Sequence, residues 1–196
     1  MRVINRLEAI IKGLETGDPE FTPDYITSTT PITLRGKKFD VTDFTPGRIH
    51  TVNCGNGGIT IDAGATLSKV VVIASCDIKL SSRSVLDEVV IATRSTGARS
   101  INSPSSLQVG RNDNCATGGG SELLTMGSMN FASGLMVYGS QLLAKDNIEF
   151  AANANGIQGA SLVAGGEIDG TSNMSMGFCG TGMENNYEAE YFRLAR

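Results

Sequence analysis

A set of aliphatic residues recurs in this chain at a fixed step. Ile59, Ile61, Leu67, Val70, Val71 and Val72 return 19 positions later, without a gap, as Ile78, Leu80, Leu86, Val89, Val90 and Ile91. A constant period of this kind marks a repeat architecture, in which each unit buries its apolar row only against its neighbours. The six-residue step from Ile61 to Leu67 reappears as Leu80 to Leu86 and, 21 residues further, as Ile101 to Leu107. A third turn of the same unit is therefore expected. After a Gly/Asn-rich interruption over 111–121 the spacing resumes. Met129, Phe131, Tyr138 and Leu143 recur as Ile148, Phe150, Ile157 and Leu162, and a partial turn begins near Ile168.

Units of 19 to 21 residues, built from short alternating strands with Gly, Asn and Ser between them, describe the coils of a parallel β-solenoid. Stacked coils place like side chains over like, roughly 4.8 Å apart, and pair every backbone group with the coil above and below. The drift from 19 to 21 disfavours a strict left-handed hexapeptide helix. An antiparallel sandwich also uses short strands, but it does not account for a gapless 19-residue register. The expected fold class is all-β, a right-handed parallel β-helix over about 57–178, inside a single domain of 196 residues.

The flanks read as covers. Val3, Leu7, Ile10, Ile11 and Leu14 follow helical spacing and stop at Gly17-Asp18-Pro19, the pattern of an amphipathic helix over 1–17. An open coil end is an unpaired sheet edge, so this helix is expected as a lid on one end, with Leu7, Ile10, Ile11 and Leu14 as its contacts. Residues 179–196, with Tyr191, Phe192 and Leu194, are expected to cap the other end. Between the helix and the coils, 18–56 reads as short irregular strands such as Ile32-Thr33-Leu34 and Phe39-Asp40-Val41, broken by Pro23, Pro31 and Pro46.

Composition removes several function classes. Hydrophobic residues make up 40% of the chain and charged residues 18%, which excludes disorder driven by charge. Sixteen basic against twenty acidic residues leave a net charge of -4, with no basic cluster beyond Arg35, Lys37 and Lys38, so nucleic-acid binding has no electrostatic footprint. The longest aliphatic run, Val70 to Ala74, is far short of the roughly 18 residues of a membrane-spanning helix. Any targeting or anchoring segment is expected outside this sequence.

Few residues offer chemistry. Four cysteines stand at positions 54, 76, 115 and 179, with no C-x-x-C pair and one histidine in the chain, which argues against zinc. Cys54 and Cys76 each stand just before a coil, at the same corner one coil apart, which places them within disulfide reach. Cys115 and Cys179 would pair by elimination. These disulfides imply an oxidising compartment; the alternative is four reduced cysteines packed as small apolar groups. His50 has no nucleophile motif near it and reads as a strand surface residue. Asp62, Asp77, Lys79, Asp87, Glu88 and Lys145 are scattered, and Lys69 falls one register step from Glu88, a ladder pair rather than a catalytic one. Asn112-Asp113-Asn114 lacks the order of a calcium loop, and Gly118-Gly119-Gly120-Ser121 lacks the lysine of a phosphate cradle. The expectation is no catalytic residue, no metal and no cofactor.

Gly47-Arg48-Ile49-His50-Thr51-Val52-Asn53-Cys54 and Leu67-Ser68-Lys69-Val70-Val71-Val72-Ile73-Ala74-Ser75-Cys76 carry a more specific likeness, together with Gly159-Ala160-Ser161-Leu162-Val163-Ala164-Gly165-Gly166 and Tyr191-Phe192-Arg193-Leu194. Over most of 45–196 the chain resembles the extracytoplasmic portion of TadE/TadG-like proteins of the bacterial tight-adherence (Flp) pilus. The resemblance implies a periplasmic or extracellular envelope protein that assists pilus assembly through contacts with other envelope or pilus-assembly proteins, and that meets a membrane only through a segment not in this sequence. The architecture also resembles bactofilins, which polymerise through short solenoids. A carbohydrate-binding or carbohydrate-cleaving β-helix is the alternative class, distinguished by whether charged groups converge in a groove along the coils.

Overall fold

The computed structural model describes residues 2–54, 57–62, 64–114, 116–171 and 176–177. The proposed pair partners Cys115 and Cys179, and the expected cap over 179–196, lie outside the described residues. The chain is a parallel β-solenoid of about seven coils with one α-helix among the described residues. In chain order the helix α1 (Arg2–Thr16) is followed by β1 (Ser28–Arg35), β2 (Lys38–Asp40), a 3-10 turn (Val41–Asp43), β3 (Arg48–Asn53), β4 (Ile59–Asp62), β5 (Thr66–Ala74), β6 (Ile78–Leu80), β7 (Val85–Thr93) and β8 (Ile101–Ser103). Then come β9 (Gln108–Val109), β10 (Glu122–Thr125), β11 (Met129–Tyr138), β12 (Gln141–Ala144), β13 (Ile148–Gln158), β14 (Ser161–Ala164), β15 (Ile168–Gly170) and β16 (Met176–Gly177).

The strands stack into three parallel faces. The first is β1, β3, the second halves of β5 and β7, then β10, β12 and β14. The second is β2, β4, β6, β8, the starts of β11 and β13, and β15. The third joins the first halves of β5 and β7 to β9, the ends of β11 and β13, and β16. The predicted register holds where the chain repeats without insertion, with Leu67 beside Leu86 and Phe131 beside Phe150. Inside, Ile59, Ile78, Ile101, Met129 and Ile148 form one continuous buried row.

Three expectations need correction. Ile101 pairs with Ile78 and Val109 with Leu86, a step of 101 − 78 = 109 − 86 = 23 rather than 21, because the corner over 94–100 is enlarged and absorbs the extra residues. Val137 meets Ile157 and Leu142 meets Leu162, a step of 157 − 137 = 162 − 142 = 20, where sequence spacing aligns Tyr138 and Leu143 with them. The stack also begins earlier than residue 57. β1 and β2 already pair in parallel with β3 and β4, so most of the segment read as irregular strands forms the first two coils.

Directly after each third-face segment from β5 to β13 stands one residue that bends the chain away from that face. Lys69 (φ 56°), Glu88 (φ 57°), Gly110 (φ 86°), Gly139 (φ 52°) and Gly159 (φ 57°) take the left-handed conformation there. Glycine is the low-cost choice at such a corner, and at Gly110 the Tyr138 carbonyl leaves no room for a Cβ. Lys69 and Glu88 occupy the strained position as neighbours and pair at 3.6 Å, as their register predicts.

The helix is a side cover and not an end lid. Leu7, Ile11 and Leu14 are fully buried against Ile49, Val71, Ile73, Val90, Ala92, Leu124 and Leu143, the outward side of the first face, and Ile10 packs half-buried beside them. Ile4 approaches Gly165 beyond β14, while Gly17 at the other terminus abuts Thr29 of β1. The helix, about 22 Å long at 1.5 Å per residue, therefore runs along the stack. The physical reason is area: both sides of this face are aliphatic, and an uncovered outer side would expose a far larger apolar patch than either end. Arg94 fixes the position with a 3.1 Å bond to Glu8 and a 2.9 Å bond to Glu15.

The double variant Leu7→Asp, Ile11→Asp places two carboxylates against that sheet and is expected to cost at least about 4 kcal/mol. Calorimetry should show a lowered Tm or sizing should show association; an unchanged monodisperse protein with native Tm would contradict the packing described.

Candidate functional site

The corner between the first and second faces carries the densest chemistry. Cys54 and Cys76 are joined there, Cα to Cα 6.0 Å, across 22 residues of chain. The bond lines an open groove of about 360 Å³ together with Gly57, Gly58, Ser75, Asp77 and Ser95. Position explains the pairing: β3 and β5 are adjacent strands, and each cysteine follows one of them into the same corner. Asp77 and the Ser95 hydroxyl share a short hydrogen bond. Behind them the Thr93 hydroxyl donates to the Cys76 carbonyl at 2.6 Å and accepts the Ser95 amide at 3.1 Å. One coil on, Thr125 accepts the Gly127 amide at 3.0 Å. Thr93, Ser100 and Thr125 are fully buried, and their hydroxyls serve backbone groups that the enlarged 94–100 corner leaves out of the ladder. The sequence reading does not include this hydroxyl column; its only trace there is a Ser or Thr at or just behind the ends of β5, β7 and β10 (Ser75, Thr93, Thr125).

His50 is not a surface residue. It is 0% exposed and sits at the first coil, its ring edge-on to Phe44 at 5.4 Å, with Phe44 in turn 6.1 Å from Phe39. The parallel pairing of β1 with β3 turns His50 inward beside Ile32, which alternation in a short polar stretch does not reveal. Its Nε2 accepts the Thr45 amide at 3.0 Å, so this imidazole plugs the end of the solenoid and has no lone pair left for base catalysis or metal binding. Burial holds its pKa below the ordinary 6.5.

Of the scattered charges, Asp87, Glu88 and Asp77 are taken up by contacts between coils. Asp87 accepts Arg111 through both carboxylate oxygens, the closest contact 2.9 Å, and Asp113 lies 3.7 Å from the same guanidinium. That pairing pins the root of the 111–121 excursion to β7. Asp113 also accepts the Ala116 amide at 3.1 Å, a turn-forming bond. Among the described residues no three His, Cys, Asp or Glu side chains stand close enough to hold a metal ion. Lys79 and Asp62 point outward from the second face, and Lys145 lies exposed beyond β12. Glu122 is the unexpected member: it occupies the outward first-face register of Val90, where burial raises its pKa. Burial, with Glu122 and Glu88 adding to it, also pushes the Tyr25 hydroxyl up.

Two outcomes follow. The loop closed by the disulfide is worth about 3 kcal/mol in the chain-entropy model, so Cys54→Ser with Cys76→Ser should lower the urea midpoint accordingly without altering far-UV circular dichroism. An unshifted midpoint would remove this contribution.

His50 stays neutral when folded while the unfolded chain protonates near pH 6.5. As pH falls from there toward the depressed folded value, the unfolded state binds the extra proton and stability declines. His50→Gln, which keeps an acceptor for Thr45, should flatten the fall of Tm between about pH 7 and 5. An unchanged slope would count against the buried neutral ring.

A family model described as a domain of unknown function, DUF7867, matches residues 3–180. No curated protein and no solved structure matches the chain.

Proposed function

The chain belongs to the DUF7867 family. From the resemblance of its sequence and the arrangement of its charged groups, we propose that it is a non-enzymatic structural or assembly protein of the bacterial cell envelope, a TadE/TadG-like pilus-assembly component that acts through protein contacts. The observation that carries this reading is the destination of the charged groups. Arg111 goes to Asp87, Lys69 to Glu88, Arg94 to Glu8 and Glu15, and Asp77 to Ser95. Each joins coil to coil or helix to coil. A polysaccharide-cleaving β-helix needs the opposite arrangement, with acid, base and cation converging on one exposed groove where a sugar ring can lie.

The disulfide supports the compartment. A Cys54–Cys76 bond persists where thiols are oxidised, as on the outer side of the bacterial inner membrane. The fold supports the mode of action, since a solenoid offers long flat faces suited to extended partners. The second face is open to such a partner: its outward row runs Lys38, Thr60, Lys79, Asn102, Asn130, Glu149 and Asp169, one residue per coil.

The test is genetic and enzymatic together. Deletion of the gene in a bacterium that builds tight-adherence pili should abolish surface pili and adhesion, and the full gene supplied in trans should restore both. Normal pili in the deletion strain, or release of oligosaccharides from pectin, alginate or peptidoglycan by the purified protein, would overturn the proposal.

A further inference from the structure

The second face carries an order of charge that the chain's own ladder does not relieve. Its central outward column, read coil by coil, has Lys38 and Lys79 among the first three coils and Glu149 and Asp169 in the last two. Thr60, Asn102 and Asn130 fill the remaining positions and are neutral. Glu149 and Asp169 are register partners on adjacent strands, roughly 4.8 Å apart in the ladder, a spacing at which like charges repel. Glu149 accepts a 2.8 Å bond from Asn130, and among the described residues no lysine or arginine pairs with either acid. Lys38 and Lys79 are likewise without an ion pair there, although Arg6, Lys69, Arg94 and Arg111 each have one. All four charged side chains of the column are exposed. The other two faces are occupied: α1 lies on the first, and Arg111 with the excursion it pins crosses the third at Asp87.

We propose that the second face is the interface of a symmetric dimer, two copies packed face to face with their stacks running in opposite directions. The inference rests on the reading of this chain as a protein that works through contacts, and it names a second copy as the partner of this face. The order of charge selects both the partner and its orientation. A two-fold axis along the strands reverses the stack, and an isologous interface must be complementary to its own reverse. With the axis between Asn102 and Asn130, Lys79 of each copy faces Glu149 of the other, and Asp169 faces Thr60, one coil from Lys38. Both acids then gain a cation that their own chain does not supply. The columns on either side meet without conflict: Asp77 comes opposite Asn147, Glu167 opposite Gly58 and Asp62 opposite Thr171. Two copies with stacks in the same direction would set Lys38 on Lys38 and Asp169 on Asp169, and like charges across an interface select against that arrangement. Size sets the strength. About seven coils roughly 4.8 Å apart, with strands of about three residues, give a flat face on the order of 30 by 10 Å per copy. This is well below the roughly 800 Å² that a standard interface buries on each partner. The dimer is therefore weak, held by charge, and sensitive to salt.

Sedimentation equilibrium of the purified full chain at up to ~1 mM is the test. At about 0.02 M salt a monomer–dimer equilibrium is expected, and about 0.5 M salt should raise its Kd by at least ~10-fold. Lys79→Glu and Glu149→Lys each set like charges together at both symmetry-related contacts. Either variant alone should raise Kd by at least ~10-fold, and an equimolar mixture of the two should restore it to within about 3-fold through the heterodimer. Both positions are exposed, and far-UV circular dichroism checks that each variant keeps the fold. A chain that stays monomeric at ~1 mM and low salt overturns the inference, and leaves the genetic test of pilus assembly to stand on its own. A dimer indifferent to both charge reversals, or one that the mixture fails to restore, overturns it too and places the interface elsewhere. Should a variant fail to fold, a zero-length carbodiimide cross-link between isotopically light and heavy copies of the unaltered chain decides. A bond from Lys79 to Glu149 between copies supports the reversed dimer, and cross-links that join copies only elsewhere overturn it.

Discussion

The parallel hydrogen-bond ladder between successive coils is the constraint on which everything else rests. Each strand satisfies its amides and carbonyls only through the coil before and the coil after it, so a residue's neighbours are chosen by the coil step and not by nearness in sequence. Like side chains consequently stack: Val70 lies beside Val89, Val72 beside Ile91, and Ile59 beside Ile78. The same rule brings Cys54 next to Cys76 and Lys69 next to Glu88. A coil step that departs from 19, reaching 23 from Ile78 to Ile101 and 32 from Val90 to Glu122, is tolerated because the extra residues are expelled at corners, where a bend does not break the ladder.

The first face shows what happens when a solenoid face is apolar on both sides. Parallel sheets are ordinarily covered on both faces, and here the cover is α1, laid along the stack and clipped by Arg94. The inner clusters and the outer cluster under the helix are separate, so the sheet behaves as a shared wall between two cores. Glu122 stands in that outer wall at a position that other coils fill with Val71 or Val90, and its raised pKa is the electrostatic cost of the substitution.

Much of the fold was legible from periodicity alone. The coil architecture, the Phe131–Phe150 contact and the ion pair at the corner all follow from the 19-residue register, because the ladder converts spacing into contact, while the Cys54–Cys76 bond, 22 residues across, follows from the corner that the two cysteines share. Less legible were the features that depend on how insertions are absorbed. The 23-residue step hides in 94–100, where Ser, Thr and Gly carry no apolar marker. His50 was misplaced because β1 and β2 are polar outside and give no alternation strong enough to reveal a coil. The site of α1 was readable in principle: Val70-Val71-Val72-Ile73-Ala74 and Val89-Val90-Ile91-Ala92 are unbroken apolar runs, the mark of strands buried on both sides, and such strands need a cover over a face more than a lid over an end.

The sequence by itself determined the repeat, the all-β class, the helix and the adjacency of residues one coil apart, since these depend on local pattern and on a period that any stacked arrangement must respect. Only the tertiary structure decided which surface the helix protects, which way His50 points, how the corner hydroxyls are used and where the charges find partners. Those outcomes depend on the relative areas of competing apolar surfaces and on backbone groups left unpaired at irregular corners. Both are properties of the assembled stack, and no single coil contains them.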